Sequence, residues 1–281
     1  MNRISRKKMY NILEITKQTI REAFARKIFI MFAGVSTLVL VLFIITFAAV
    51  GLEDLSGSIQ MDTGKDLEVL EEVVGGIKLF IVIPLFGGGL FLSIFSASSF
   101  IPNMLEKGNI DVILSKPISR SQIIFGKFLG GTLVVLLNIA YLVIGIWFLI
   151  GLKFGIWHLS FLLTIVTITF AFAVLYSLII LIGILSQSSI LAMMLSYIIF
   201  FILSPILSIR DQIMMLADSK VLEIILEGLY YIVPKTSELG SITSDIAVGG
   251  SIYDFQPIFT SAVFLILSIA LSIIIFSKKD Y

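Results

Sequence analysis

The sequence predicts an all-α integral membrane protein with six transmembrane helices. Apolar residues make up 58% of the 281 residues and charged residues only 14%, whereas soluble chains contain roughly 45–50% and 25%. Too little polar surface remains to cover such a chain in water. Six uncharged apolar runs each approach the roughly 20 residues that a helix needs to cross a bilayer. The net charge of +1 and the absence of cysteine exclude a broad basic nucleic-acid-binding surface, disulfides and Cys-based metal sites.

The sequence contains six predicted spans. Their approximate bounds are Ile28–Val50, Leu79–Ile101, Phe128–Ile150, Leu159–Ile184, Ile190–Ile209 and Ile258–Phe276. The first run is too long for the apolar core of a cleaved signal peptide, which has about 7–15 residues. Only Leu185–Ser189 join the fourth and fifth runs, so we expect a tight turn there. Lys78 immediately precedes the second run, and its long side chain is expected to reach the membrane interface.

Residues 1–27 are predicted to form a cytoplasmic amphipathic helix that precedes the transmembrane domain of residues 28–281. On a helical wheel, one face collects the apolar positions Met9, Ile12, Leu13, Thr16, Ile20 and Phe24. The opposite face carries the polar positions Glu14, Lys17, Gln18, Arg21 and Glu22. Such a helix is expected to lie in the membrane interface, with basic residues suited to anionic lipid headgroups.

A long outer loop is predicted between the fifth and sixth spans. Its first part, about Asp211–Val233, is amphipathic but too charged to cross the membrane, so we expect it to lie on the outer leaflet. Pro234 should end this segment. Carboxylates are frequent here and in the first outer loop. A solvated acidic face is expected rather than a cation-binding vestibule, because no spacing resembles a calcium loop.

The distribution of basic residues predicts the orientation. Fourteen Lys and Arg residues lie in the N-terminal segment, the loop after the second span and the C-terminal tail. Five lie in the loops of the opposite side. Because basic residues concentrate on the cytoplasmic side, both termini are expected in the cytoplasm of a multi-pass plasma membrane protein.

The sequence contains no recognisable catalytic constellation. No Asp, Glu, Lys, Arg or His lies in the middle of a predicted span, where a charge costs roughly 2.5–3.5 kcal/mol and is kept for function. His158, the only histidine, follows Trp157 at the outer end of the fourth span, a typical interface position. No phosphate-binding loop occurs, because the two Gly-Lys pairs lack the required upstream glycine. We therefore predict a chain that is not an enzyme and binds no cofactor or metal.

Several spans carry polar residues, and two interpretations remain open for them. Small and polar side chains permit close helix packing in membranes, but they also suit a weakly polar translocation path. The candidate path residues are Ser93, Ser96, Ser196, Tyr197 and Ser204.

The cytoplasmic segment 106–127 has the features of an elbow between the second and third spans. A short helix is predicted over Pro102–Leu114, with Pro117 ending it because proline disfavours helix in the residue before it. Ser119, followed three residues later by Gln122, is a capping-box pattern that should begin the next helix. A short helix projecting into the cytoplasm suits docking against a partner.

This segment resembles the ABC-2 type permease family, the membrane subunits of many ABC exporters. The matching positions are Glu106, Gly108, Leu114, Ser115, Pro117, Ile118, Ser119, Arg120, Gly126 and Lys127. Asn109 departs from the family, which usually has Thr there. The chain looks closest to the branch grouped with permeases linked to multicopper-enzyme maturation.

The resemblance implies the missing parts of a transporter. Two permease copies, or this chain and a homologue, would pair in the lipid bilayer and dock on two ATPase subunits that bind ATP and Mg²⁺. The implied ATPase-coupling residues are Glu106, Gly108, Asp111, Pro117, Ser119, Arg120 and Lys127. No nucleic-acid partner is expected. The alternatives from other classes are a secondary carrier or channel, and a membrane scaffold for an assembly complex.

Overall fold

The computed structural model describes residues 3–25, 28–49, 66–115, 118–216 and 220–279. Within these ranges the chain is helical, with turns and short connections and no β-strand. The first seven helices are α1 (Arg3–Ala25), α2 (Ile28–Ala49), α3 (Asp66–Pro84), α4 (Leu90–Ala97), α5 (Phe100–Leu105), α6 (Asn109–Leu114) and α7 (Arg120–Phe154). The others are α8 (Ser160–Ser186), α9 (Ser189–Ile198), α10 (Ser204–Ser208), α11 (Arg210–Leu216), α12 (Lys220–Ile232), α13 (Thr236–Ala247) and α14 (Gln256–Lys278).

Six of the described helical stretches are long and apolar enough to cross a membrane, which confirms the predicted fold class. They are Ile30–Ala48, Leu70–Leu105, Arg120–Phe154, Ser160–Ser186, Ser189–Ser208 and Gln256–Lys278. The second is far longer than the predicted run Leu79–Ile101, because helix α3 begins among the carboxylates at Asp66. The turn between the fourth and fifth spans consists of Gln187, in the left-handed conformation at φ 54°, and Ser188.

Helix α8 forms the centre of the bundle. Two thirds of its most apolar 18-residue stretch is buried, against 6% of the corresponding stretch of α2. The side chains of Phe161, Phe172 and Tyr176 are fully buried, and Tyr176 donates a hydrogen bond to the carbonyl of Lys127 in α7 (3.2 Å). Helices α7, α9, α13 and α14 pack around α8. Helix α2 therefore lies at the edge, where its side chains are available to lipid or to another subunit.

Two spanning helices contain a π-helical turn. One follows Pro84 and covers Leu85–Gly89, and the other covers Ile199–Leu203 in the fifth span. The two turns are neighbours, since the rings of Phe86 and Phe200 lie 6.1 Å apart. A π turn inserts one residue into a helix and is frequent at functional sites.

The segment between the fifth and sixth spans is more ordered than a loop. The predicted amphipathic segment forms α11 and α12, and Pro234 follows shortly after α12, as expected. Leu226, Tyr230 and Val233 are buried in a small cluster with Leu207 of α10. Helix α13, which the sequence analysis missed, packs against α8 and α3. Its Gly240 lies against the ring of Phe86, where an added Cβ would be 3.0 Å from a ring carbon.

Helix α1 packs lengthwise on the first part of α7, and the predicted apolar face is only partly correct. Ile15, Thr19 and Ala23 are buried against the bundle, although none of the three was assigned to the apolar face, and of the assigned residues Thr16 is buried. Met9 and Leu13 are more than half exposed. The reason is that Gly126 and Gly130 of α7 let α1 approach closely, so the contact is made by the side of α1 that faces these glycines, with Ile15 and Thr19.

Candidate functional site

The elbow between the second and third spans is a sharp corner rather than the single predicted helix Pro102–Leu114. Helix α5 ends at Leu105, because Glu106 adopts an extended conformation (φ −61°, ψ 144°). Gly108 has φ +91°, a conformation that glycine adopts without strain. The Asp111 carboxylate then accepts a hydrogen bond from the N–H of Gly108 (3.3 Å). These residues therefore bend the chain between α5 and α6.

One side of the elbow is exposed and the other rests on the bundle. Glu106, Gly108 and Asp111 are all exposed. Leu105 and Ile110 are buried at 7% and 4% exposure. Of the predicted coupling residues, Pro117 lies outside the described residues.

Ser119 and Arg120 begin the third span and connect it to the last helix. The predicted capping box is present: the N–H of Ser119 donates to Gln122 Oε1 (3.0 Å), and the N–H of Gln122 donates to Ser119 Oγ (3.4 Å). The guanidinium of Arg120 donates to the carbonyls of Phe276 (2.5 Å) and Lys279 at the end of α14. Arg120 thus binds carbonyls that a helix end leaves without intrahelical partners.

Lys127 lies inside the protein, between α1 and α7. Its ammonium is 2.6 Å from the Glu22 carboxylate, and its side chain is only 4% exposed. The backbones approach closely around this pair, because a Cβ at Gly126 would be 2.6 Å from Ile15 Cβ and one at Gly130 would be 2.5 Å from Thr19 Cβ. The ion pair and the glycines together attach α1 to the third span.

The predicted coupling residues therefore fall into two groups. Glu106, Gly108 and Asp111 form an exposed patch on the elbow. Ser119, Arg120 and Lys127 make contacts within the chain. A further hydrogen bond joins the end of α14 to α8, because Lys279 Nζ donates to the Ile184 carbonyl of α8 (2.6 Å). We call this end of the molecule, with α1, the elbow and the end of α14, the elbow end.

Two of the predicted path residues share a small cavity. Ser93 and Ser96 line a void of about 10 Å³ together with Asn138 of α7, close to the minimum volume that holds one water molecule. Asn138 Oδ1 is buried and accepts no hydrogen bond from the described residues. Ser93 Oγ donates to the Gly89 carbonyl (2.7 Å).

The other three predicted path residues make separate contacts. Ser196 is buried and donates to the Ala192 carbonyl of its own helix. Tyr197 donates to the Phe91 carbonyl (2.9 Å), with its ring stacked on Phe91. Ser204 Oγ accepts a hydrogen bond from the N–H of Ser237 at the start of α13 (2.9 Å). None of these three residues lines the cavity that Ser93 and Ser96 share.

Lys78 is not an interface anchor, so that prediction was wrong. Its side chain is only 2% exposed, and its Nζ lies 2.6 Å from His158 Nδ1 and 6.0 Å from the centre of the Phe161 ring. The carbonyl of His158 also accepts a hydrogen bond from Trp147 (3.2 Å). Lys78 is buried because α3 extends beyond the predicted span and turns this position toward α8.

The sequence analysis also missed a charged cluster outside the spans. The cations of Arg210 and Lys235 lie 3.4 Å and 3.5 Å from the centre of the Tyr230 ring. The Tyr230 hydroxyl donates to Glu238 (3.3 Å). Burial raises the pKa of Tyr230 to about 12 and lowers the pKa of Lys235. These contacts hold α12 against the start of α13, and only the spacing of aromatic and basic residues around Pro234 hinted at them.

The described residues contain no group of three or more His, Cys, Asp or Glu side chains that could hold a metal ion. The comparison with curated proteins found no match. The sequence matches the family described as "ABC-2 family transporter protein" over residues 29–281, a range that includes the elbow and all six spans. This chain is a membrane-spanning member of the ABC-2 transporter family.

Proposed function

We propose that this chain is the permease subunit of an ABC exporter, driven by ATP that a separate ATPase hydrolyses. Family members are in general non-catalytic membrane subunits. We further propose that two permeases and two ATPases assemble, that ATP and Mg²⁺ bind to the ATPases, and that the elbow end faces the cytoplasm across the plasma membrane. The elbow motif supports assignment to the branch linked to multicopper-enzyme maturation.

The observation that carries the proposal is that an exposed patch on the elbow lies beside helices that are bonded to one another. Glu106 and Asp111 project from a corner whose opposite side, at Ile110, rests on the bundle. Lys127 joins α1 to α7, and Arg120 joins α7 to α14. A force applied to the patch would therefore reach several spans together. Such an arrangement suits transmission of movement from a partner protein better than a passive connection does.

The polar positions support a path that opens only during transport. Ser93, Ser96 and Asn138 enclose a void too small for a solute. The neighbouring π turns at Leu85–Gly89 and Ile199–Leu203 are local irregularities at which the second and fifth spans can change shape. On this proposal, movement of the second span at the elbow would separate its serines from α7.

One observation favours a secondary carrier instead. Lys78 is buried and contacts the half-buried His158 in the connection between α7 and α8, and ionisable residues inside membrane proteins often serve proton coupling. Transport by the purified chain in liposomes without ATP or an ATPase would support this second candidate.

The decisive experiment is charge reversal on the elbow patch. If Glu106 contacts a polar or basic surface of the ATPase, Glu106→Arg introduces a repulsion worth several kcal/mol. Changing an exposed charge elsewhere usually alters stability by less than about 0.5 kcal/mol. Glu223→Arg is the matched control, because Glu223 is also an exposed glutamate but lies on α12.

The measurement is ATP hydrolysis by the ATPase co-reconstituted with each permease variant, with the amount of inserted permease checked by immunoblot. We expect Glu106→Arg to abolish the permease-dependent part of the hydrolysis or to release the ATPase, and Glu223→Arg to resemble the wild type. If both variants stimulate hydrolysis fully, the elbow is only a connector and the coupling proposal is wrong.

A further inference from the structure

An apolar groove runs between α2 and the second span. It consists of two connected parts with volumes of about 560 Å³ and 490 Å³, within the range of ligand-sized pockets, roughly 300–1,000 Å³. Val39, Phe43 and Phe80 line both parts. The groove exists because α2 packs mainly on α7 and α1, so that α2 and the second span stand apart.

The groove follows the axes of both helices over most of a bilayer's thickness. On α2 its lining begins at Phe32 and ends at Phe47, and on the second span it runs from Val73 to Leu92. With a rise of 1.5 Å per residue, these stretches are roughly 22 Å and 28 Å long. The hydrocarbon core of a bilayer is roughly 30 Å thick. The groove is thus a long, narrow slot that opens sideways toward the lipid.

The lining changes character at one end. Most of the groove is lined by aliphatic and aromatic side chains, with Gly88 and Gly89 forming part of the wall beside the π turn. Lys153, at the last turn of α7, lines the end opposite to the elbow end. Its Nζ donates to the Phe47 carbonyl (2.6 Å), which holds the ammonium group beside the groove. A cation at the end of an apolar slot complements a molecule with an anionic head and a hydrocarbon tail.

We propose that this groove binds an acyl chain of a membrane phospholipid, whose phosphate lies near Lys153. The shape accounts for one extended hydrocarbon chain, and the ammonium group of Lys153 accounts for the head. The inference is independent of ATP coupling, because it requires no ATPase and no transported substrate.

Two glycines of the π turn allow a matched test. A Cβ at Gly87 or at Gly88 would meet no atom within 4 Å, so neither position is closed to a side chain at its first carbon. Gly88 lines the groove, whereas Gly87 does not. Gly88→Leu should therefore fill the slot, and Gly87→Leu should leave it open although it changes the same helix in the same way. Val39→Phe would fill the groove from the α2 side.

The experiment measures retained lipid by native mass spectrometry. The full chain is reconstituted with a mixture of phosphatidylglycerol and phosphatidylcholine and then washed stepwise with detergent. We expect wild type and Gly87→Leu to keep one phospholipid per chain, and Gly88→Leu and Val39→Phe to lose it with a roughly tenfold lower retained fraction, which corresponds to about 1.4 kcal/mol. Melting temperature and size-exclusion light scattering of each variant report on folding and on association.

Three results would overturn the proposal. The wild type could keep no lipid after the wash, or the two filled variants could keep it as well as the wild type does. The substitutions that fill the groove could also convert a dimer to a monomer without changing lipid retention. The groove would then be a contact between subunits. Should Gly88→Leu fail to fold, Val39→Phe decides alone.

A separate variant tests whether Lys153 contacts the lipid head group. Lys153→Gln keeps a hydrogen-bond donor for the Phe47 carbonyl but removes the charge. We expect this variant to retain the two phospholipids equally, whereas the wild type should prefer phosphatidylglycerol. An unchanged preference for phosphatidylglycerol would show that Lys153 does not contact the phosphate.

Discussion

The contact between α1 and α7 can be tested by adding one methyl group. In Gly130→Ala, the new Cβ would be 2.5 Å from Thr19 Cβ and 3.1 Å from the carbonyl oxygen of Thr16. Carbon atoms in favourable contact lie about 3.5–4.0 Å apart. The nearest atoms are a Cβ atom and a backbone oxygen of α1. They cannot move away unless the helix moves with them. Helix α1 must therefore retreat by roughly 1 Å.

The retreat has two costs. Overpacking of a close contact typically costs about 1–3 kcal/mol. The same movement lengthens the 2.6 Å bond between Lys127 and Glu22, so that the buried ammonium moves away from the Glu22 carboxylate. We expect the combined effect to favour detachment of α1 by at least about 1–3 kcal/mol, which is a factor of roughly 5–150 in the equilibrium between attached and detached α1.

Hydrogen exchange measured by mass spectrometry in nanodiscs would report this equilibrium. Amides of α1 between Asn11 and Ala23 should exchange roughly 5–150 times faster in Gly130→Ala than in the wild type. Peptides from α8 should be unchanged, which separates local detachment from global unfolding. Gly87→Ala is the control, because nothing lies within 4 Å of its added Cβ. Equal protection of α1 in Gly130→Ala and Gly87→Ala would refute the reasoning.

Three further predictions follow from the buried charges and the orientation. His158→Ala should lower the melting temperature, because it leaves the Lys78 ammonium without its acceptor at a cost of about 1–3 kcal/mol. Lys78→Met should be neutral or stabilising. Equal losses of melting temperature in the two variants would contradict this reasoning. Burial lowers the pKa of Lys235 from 10.5, so the native state binds fewer protons than the unfolded chain between the lowered pKa and 10.5. The free energy of unfolding should therefore rise with pH across that interval, and a Lys235→Met variant with the same slope in thermal melts would argue against it. For orientation, an impermeant maleimide applied to intact cells should label Ser241→Cys but not Ser115→Cys, both at exposed positions; the reverse pattern would invert the topology.

The spans could be predicted because their signal is local. A run such as Phe128–Ile150 contains its own evidence, namely length and the absence of charge. The capping box at Ser119 and Gln122 is equally local. Helix α13 was missed because nothing in its composition requires a helix. It is polar and short, and its place depends on Ser204 accepting a hydrogen bond from the N–H of Ser237 and on Gly240 fitting against Phe86.

The buried charges could not be predicted because they depend on the partner helix. Lys78 and Lys127 both look like residues at the end of a span, yet each finds an acceptor on a distant part of the chain, His158 in one case and Glu22 in the other. The G-x-x-x-G spacing of Gly126 and Gly130 was a usable signal for close helix approach. Its partner, the face with Thr19, could not be chosen from hydrophobicity alone.

The π turn at Leu85–Gly89 also sets the rotational phase of the second span. One residue advances an α-helix by roughly 100°, so removing the inserted residue would rotate everything between Leu90 and the elbow by that angle relative to α3. Ser93 would then leave Asn138, and a different side of the helix would meet α7. Deleting Gly88 would enforce this α-helical phase permanently. The three consecutive glycines therefore lie where the rotational phase of the second span changes. On one side is the half of the span that contacts His158, and on the other is the half that leads to the elbow.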